Sequence, residues 1–129
     1  MSLDTTQIFD ACRRYERELV EKMYEVNPDS IHAADIKGFT PLILAVYNNS
    51  ADVVDFLLLK GAKTRGYDAA GNTALMGVVF KDYTELARKL VEAGADANER
   101  NANGATAFTF AATFGHLQIA ALLLQKAPM

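Results

Sequence analysis

Chemically matched residues recur in this sequence about every 33 positions, and that interval constrains the fold more than any other feature. Asp35, Asp68 and Asn101 fall in step, as do Gly38, Gly71 and Gly104, and then Thr40, Thr73 and Thr106. The apolar positions keep the same register: Leu42, Leu75 and Phe108, then Val53, Leu86 and Ile119, then Leu57, Leu90 and Leu123. The pairs Gly61-Ala62 and Gly94-Ala95 follow. Residue types with different physical roles agree at once, so the chain is built of repeated units. A lone unit of this length cannot bury its apolar face, and the units must stack.

Each position has a mechanical reason. Asp35, Asp68 and Asn101 can hydrogen-bond the backbone two residues on, and the glycine three positions later tolerates positive φ. Asp35-Ile36-Lys37-Gly38, Asp68-Ala69-Ala70-Gly71 and Asn101-Ala102-Asn103-Gly104 therefore read as tight turns. Thr40, Thr73 and Thr106 are natural N-caps of a helix of about eight residues, and Pro41 stands at a first helical position, where proline is tolerated. Asn49, Asp82 and Gly115 end that helix, because these residue types enter the left-handed region more easily than most. A second helix follows, with Val53, Val54, Leu57 and Leu58 on one apolar face and Gly61 or Gly94 closing it.

The same interval taken toward the N-terminus puts Phe9 in the slot of Leu42, Cys12 in that of Ala45 and Val20 in that of Val53. The first unit is thus degenerate. Asn27-Pro28-Asp29 replaces the glycine turn, and Arg13, Arg14, Glu16, Arg17, Glu18, Glu21 and Lys22 give it the polar exterior of a terminal cap. The expected units are 1–34, 35–67, 68–100 and 101–129, in one continuous domain from residue 5, with the last unit incomplete. It stops at Ala127-Pro128-Met129, where a capping unit would follow, so apolar side chains such as Leu122 are expected to stand uncovered.

These residues resemble a known family. Gly38-Phe39-Thr40-Pro41-Leu42-Ile43-Leu44-Ala45 with Val53-Val54-Asp55-Phe56-Leu57-Leu58-Leu59-Lys60-Gly61-Ala62 is similar to an ankyrin repeat nearly throughout. Gly71-Asn72-Thr73-Ala74-Leu75 and Gly104-Ala105-Thr106-Ala107-Phe108, with the helices after them, resemble it too. The resemblance runs from Thr5 onward. It implies an all-α ankyrin-repeat solenoid of stacked helix-turn-helix units joined by β-turn or hairpin-like loops. It also implies a protein–protein interaction scaffold, without cofactor or catalytic residue, although fold alone does not fix function. The sequence departs from the family where Ile43, Met76 and Thr109 replace the histidine that ties neighbouring loops, so weaker loop bracing is expected. It departs again at Gly77, inside a first helix, with Val78 and Val79 in place of small alanines; local repacking is expected there.

The rest of the sequence removes other classes of function. A net charge of -3, from 16 acidic and 13 basic residues without a basic block, disfavours nucleic acid. No apolar run reaches the roughly 20 residues of a membrane span, and no basic-then-apolar export signal opens the chain. The single Cys12 forms no intrachain disulfide and fits the reducing cytoplasm. His32 and His116 read as structural or neutral, Asp52 with Asp55 and Glu16 with Glu18 as solvated helix faces, and Gly71 and Gly104 as isolated turn glycines. No metal site, phosphate loop or catalytic set emerges.

What the resemblance implies about binding is a concave face made of the turn tips and the exposed sides of the first helices. Mapped on this sequence it takes in Ile36, Lys37 and Phe39, Tyr47 and Asn48, Asn72, Phe80 and Lys81, Asn103, and Thr113 and Phe114. Phe39, Tyr47, Phe80 and Phe114 occupy positions the repeat does not need for its core. Phe39 and Tyr47 lead as anchors for a partner protein and are expected to be dispensable for folding. Phe80 and Phe114 read equally well as packing across the stack. A regulatory or inhibitory subunit of an enzyme, and a homo-oligomer closed through the C-terminal repeat, are the competing readings.

Overall fold

The computed structural model describes residues 17–34, 38–64 and 66–126; Phe9, Cys12 and Asp35 lie outside them. The Thr40 hydroxyl accepts from the Ile43 N–H at 3.2 Å, and Pro41 takes the first helical position, so α2 (Pro41–Tyr47) begins with an otherwise orphaned donor satisfied. α1 (Arg17–Val26) precedes it, and a 3-10 turn at Pro28–His32, capped by the Asn27 side chain, joins the two. Thr73 and Thr106 cap α4 (Ala74–Phe80) and α6 (Ala107–Phe114) in the same way, through the N–H groups of Met76 and Thr109. There the partner side chains answer: the N–H of Thr73 donates to Met76 Sδ at 3.5 Å and that of Thr106 to Thr109 Oγ1 at 3.2 Å.

Asn49, Asp82 and Gly115 take φ of 55°, 61° and 71° and turn the chain into α3 (Ala51–Leu59), α5 (Thr84–Glu92) and α7 (Leu117–Lys126). A backbone bond of 2.9 Å closes each of these turns: Ser50 N–H to Ala45, Tyr83 N–H to Val78 and His116 N–H to Ala111. The periodic chemistry of the sequence is thus a periodic set of caps and turns.

The helices form two rows. α2, α4 and α6 pack in sequence along one, and α1, α3, α5 and α7 along the other. The core runs between them, with Leu42, Val46, Val53, Leu57, Leu75, Val79, Leu86, Leu90 and Ile119 all buried. The structure is an all-α repeat solenoid; its one antiparallel bridge among the described residues, Tyr67 with Thr73, lies at the base of a turn tip.

Two core assignments differ from expectation. On α3 it is Phe56 that is buried, while Leu58 is only partly covered; the Phe56 ring meets Tyr24 of α1 edge-on at 5.7 Å. Leu122 is also buried, at 5% exposure. It holds the slot of Phe56, on the side of the helix turned toward the preceding unit. The apolar side chains that do stand open at this end are Phe108, Leu117 and Leu124. Phe108 is exposed where its counterparts Leu42 and Leu75 are buried, and Ala112 is exposed where Val46 and Val79 are buried. Those counterparts lie on the side of α2 and α4 that receives the next helix pair.

The turn tips are braced by a route other than the family histidine. Asp68 Oδ1 accepts from the N–H groups of Ala70 and Asn72 at 2.9 and 3.0 Å, and Asn101 Oδ1 accepts from those of Asn103 and Ala105, both at 3.0 Å. Between tips, Asn101 Nδ2 donates to Asn72 Oδ1 at 2.9 Å and the Ala102 N–H donates to the Ala70 carbonyl at 3.0 Å. Gly71 makes this approach feasible, since a Cβ there would lie 2.9 Å from the Ala102 nitrogen.

Candidate protein-binding face

The sequence-predicted residues gather on the side of the molecule that carries the turn tips and the first helices, except that Ile36 and Lys37 lie outside the described residues. Gly77 organises this side. The repeat places it in the slot of Leu44 and Phe110, and the missing side chain is replaced by the Tyr47 ring, against which any Cβ on Gly77 would collide. The repacking expected at Gly77 is therefore an aromatic ring from the neighbouring unit lying on bare helix backbone. It offsets the roughly 1 kcal/mol that a helical glycine costs relative to alanine.

Tyr47 is tied from several directions. Its hydroxyl donates to Asp68 Oδ2 at 3.1 Å, its carbonyl accepts from Lys81 Nζ at 2.9 Å, and Phe39 meets its ring edge-on at 6.0 Å. Burial raises the Tyr47 hydroxyl pKa well above the ordinary tyrosine value, and the charge and hydrogen bond of Asp68 raise it further. Phe39 and Tyr47 both pack on the core. Both rings are thus partly buried against the core at positions where the sequence placed partner anchors. Asn48 and Asn72 are also structurally engaged, Asn48 Nδ2 with the Leu44 carbonyl at 2.9 Å and Asn72 with Asn101.

Phe80 and Phe114 behave differently. They remain 55% and 49% exposed while packing edge-to-face at 5.3 Å, and Phe110 completes the group at 6.4 Å from each. The rings thus pack across the stack and still present open area. Thr113 and Asn103 are exposed, Asn103 in the turn tip with its N–H held by Asn101.

Between Tyr47 and this aromatic group lies a hollow of about 330 Å³, lined by Tyr47, Asn72, Met76, Gly77, Phe80, Lys81 and Phe110. Met76, Gly77 and Phe110 were missed as site residues by sequence reasoning. The signal was present, since glycine in a slot otherwise filled by Leu44 and Phe110 marks a missing side chain.

The groups set aside for chemistry remain apart. His32 is exposed at the end of the 3-10 turn. His116 stacks on Phe114, with Nδ1 3.7 Å from Asp82 Oδ1, and Asp55 pairs with Lys89 of the next unit at 2.8 Å. Among the described residues no three His, Cys, Asp or Glu side chains converge as a metal site, and no helix is long and apolar enough to cross a membrane.

The chain belongs to the ankyrin repeat family, which it matches in three copies over residues 8–101 and 75–129. Ankyrin repeats are in general protein–protein interaction modules. The chain is similar to Ankyrin repeat and SAM domain-containing protein 6 of Rattus norvegicus, 34% identical over 102 residues, which is 78% of this chain and 12% of that protein. It is 42% identical to the B-cell lymphoma 3 protein homolog of Mus musculus over 77 residues, 59% of this chain and 17% of the relative. A third relative, Phosphocholine transferase AnkX of Legionella pneumophila, is 32% identical over 96 residues, 67% of this chain and 10% of the transferase. The chain thus spans only a small part of each relative's length.

Proposed function

We propose that the chain is a non-enzymatic, cytoplasmic binding module that holds a partner protein on the concave face formed by its turn tips and first helices. The supporting observation is the Phe80–Phe110–Phe114 group, two of whose rings stay about half exposed beside an apolar hollow. Large rings fixed by one another lose little freedom when a partner covers them, and such rings dominate binding energy at protein interfaces. Lys81 and Thr113, each adjacent in sequence to one of the exposed rings, are exposed polar side chains that tolerate water.

The test is a selection of short random peptides displayed on phage against the immobilised protein, followed by measurement of their affinity for a Phe80→Ser, Phe114→Ser variant. The selected peptides should lose at least about thirtyfold in affinity while the variant, though somewhat less stable for the lost ring packing, still unfolds cooperatively and keeps its helical circular dichroism. Unchanged affinity in a folded variant would move the binding surface elsewhere.

A second reading is self-association through the C-terminal repeat, supported by the exposure of Phe108, Leu117 and Leu124. Solution mass measured across protein concentration decides it. A mass that stays monomeric as concentration rises rejects it.

A further inference from the structure

Gly77 and Lys81 together define what the hollow can hold. The register of the repeat would put a large side chain where Gly77 stands, and the space left after Tyr47 leans in is about 330 Å³, floored by Gly77 and Met76 and walled by the rings of Tyr47, Phe80 and Phe110. That volume is at the small end of the roughly 300–1,000 Å³ typical of ligand pockets, so it suits one bulky side chain better than a cofactor. Phe80 and Phe110, both lining the hollow, stand nearly perpendicular, at 85°, and aromatic groups pack favourably edge-to-face or offset against such rings.

Of the side chains that line the hollow, Lys81 is the charged one, and it is a cation. Lys81 is exposed and spends one N–H on the Tyr47 carbonyl; an ammonium carries three donors. The Asp68 and Asp82 carboxylates do not line the hollow. Asp68 accepts from the Tyr47 hydroxyl and from the N–H groups of Ala70 and Asn72, and Asp82 lies toward His116.

We infer that the hollow seats a single aromatic side chain from a partner segment that carries an Asp or Glu side chain within reach of Lys81. This inference rests on the concave-face reading and narrows it to one class of partner, an acidic segment with an aromatic anchor. Pairing with Lys81 speeds encounter and discriminates against basic segments, while the buried ring supplies most of the affinity.

The experiment uses the peptides selected by phage display, made synthetically with amidated C-termini so that only side-chain carboxylates are present, and measures binding by fluorescence polarisation at low salt. The expected peptides share an aromatic residue with an acidic one close by in sequence, and replacing the aromatic by alanine costs at least about thirtyfold. Lys81→Glu should weaken them by about three- to tenfold, and changing the peptide's acid to lysine should restore binding to that variant only. Lys81→Gln, which should weaken binding less than Lys81→Glu, guards against a folding defect in the charge reversal. Peptides that depend on Phe80 yet carry no acid and ignore Lys81→Glu would overturn this inference and leave the concave-face reading in place. Peptides indifferent to both Phe80→Ser and Lys81→Glu would overturn both. Occupation of the hollow by free indole as tightly as by any selected peptide would make it a small-molecule pocket and also overturn the inference.

Discussion

The Tyr47 hydroxyl donates to Asp68 Oδ2 at 3.1 Å, joining the end of one unit's first helix to the turn tip of the next. Burial and the Asp68 carboxylate together disfavour the tyrosinate and raise the pKa. The unfolded chain releases this proton near the usual tyrosine pKa of about 10, while the folded chain retains it. Above about pH 10 the folded state therefore binds more protons than the unfolded state, and stability falls as pH rises. Tyr47→Phe should lose about 1 kcal/mol at neutral pH and show a shallower alkaline decline. Urea unfolding of both proteins between neutral pH and the alkaline limit checks this, and parallel pH profiles would refute the coupling.

Gly77→Ala should destabilise the protein, although alanine is the better helix former. Helix propensity favours alanine by about 1 kcal/mol, but the new methyl group meets the tethered Tyr47 ring, and overpacking typically costs about 1–3 kcal/mol. In a Tyr47→Ala background the obstruction is gone and the same change should stabilise. A double-mutant cycle from chemical denaturation measures the difference. The same effect in both backgrounds would mean that the ring does not occupy the glycine's space.

The repeat architecture was legible because its signals are local. Thr40, Thr73 and Thr106 each satisfy a nearby N–H, and Asn49, Asp82 and Gly115 each need a positive φ, demands that a residue meets whatever lies across the stack. The site was less legible because it depends on one unit's response to another. The sequence flagged Gly77 but not that Tyr47 would lean into the gap, and so Tyr47 and Phe39 became braces while Phe80 and Phe114 kept the open area. Leu122 was misplaced for a related reason: the side of α7 that it occupies faces back along the stack, which its apolar character alone does not reveal.

Asn101 should separate turn chemistry from tip-to-tip bracing. Its Oδ1 accepts two backbone N–H groups within its own turn, and its Nδ2 reaches Asn72. Asn101→Ala removes all three bonds and should cost about 2 kcal/mol. Asn101→Asp keeps the turn acceptors, as Asp68 does in the preceding unit, and the Asn72 amide can rotate to donate in place of accepting. That variant should stay within about 0.5 kcal/mol of the parent. Urea midpoints measure both changes, and equal losses would show that the amide donor of Asn101 is indispensable and that its turn acceptors add nothing.

Position in the stack should outweigh residue type at the slot shared by Leu75 and Phe108. Leu75 is buried, and truncation to alanine there should cost about 2–5 kcal/mol. Phe108, although larger, is 38% exposed because no following helix pair covers it among the described residues. Phe108→Ala should therefore cost less than Leu75→Ala, about 1 kcal/mol. Thermal unfolding at two protein concentrations makes the comparison decisive. If Phe108→Ala approaches the cost of Leu75→Ala, and does so more strongly at the higher concentration, a second molecule is supplying the cover that the next repeat gives Leu42 and Leu75.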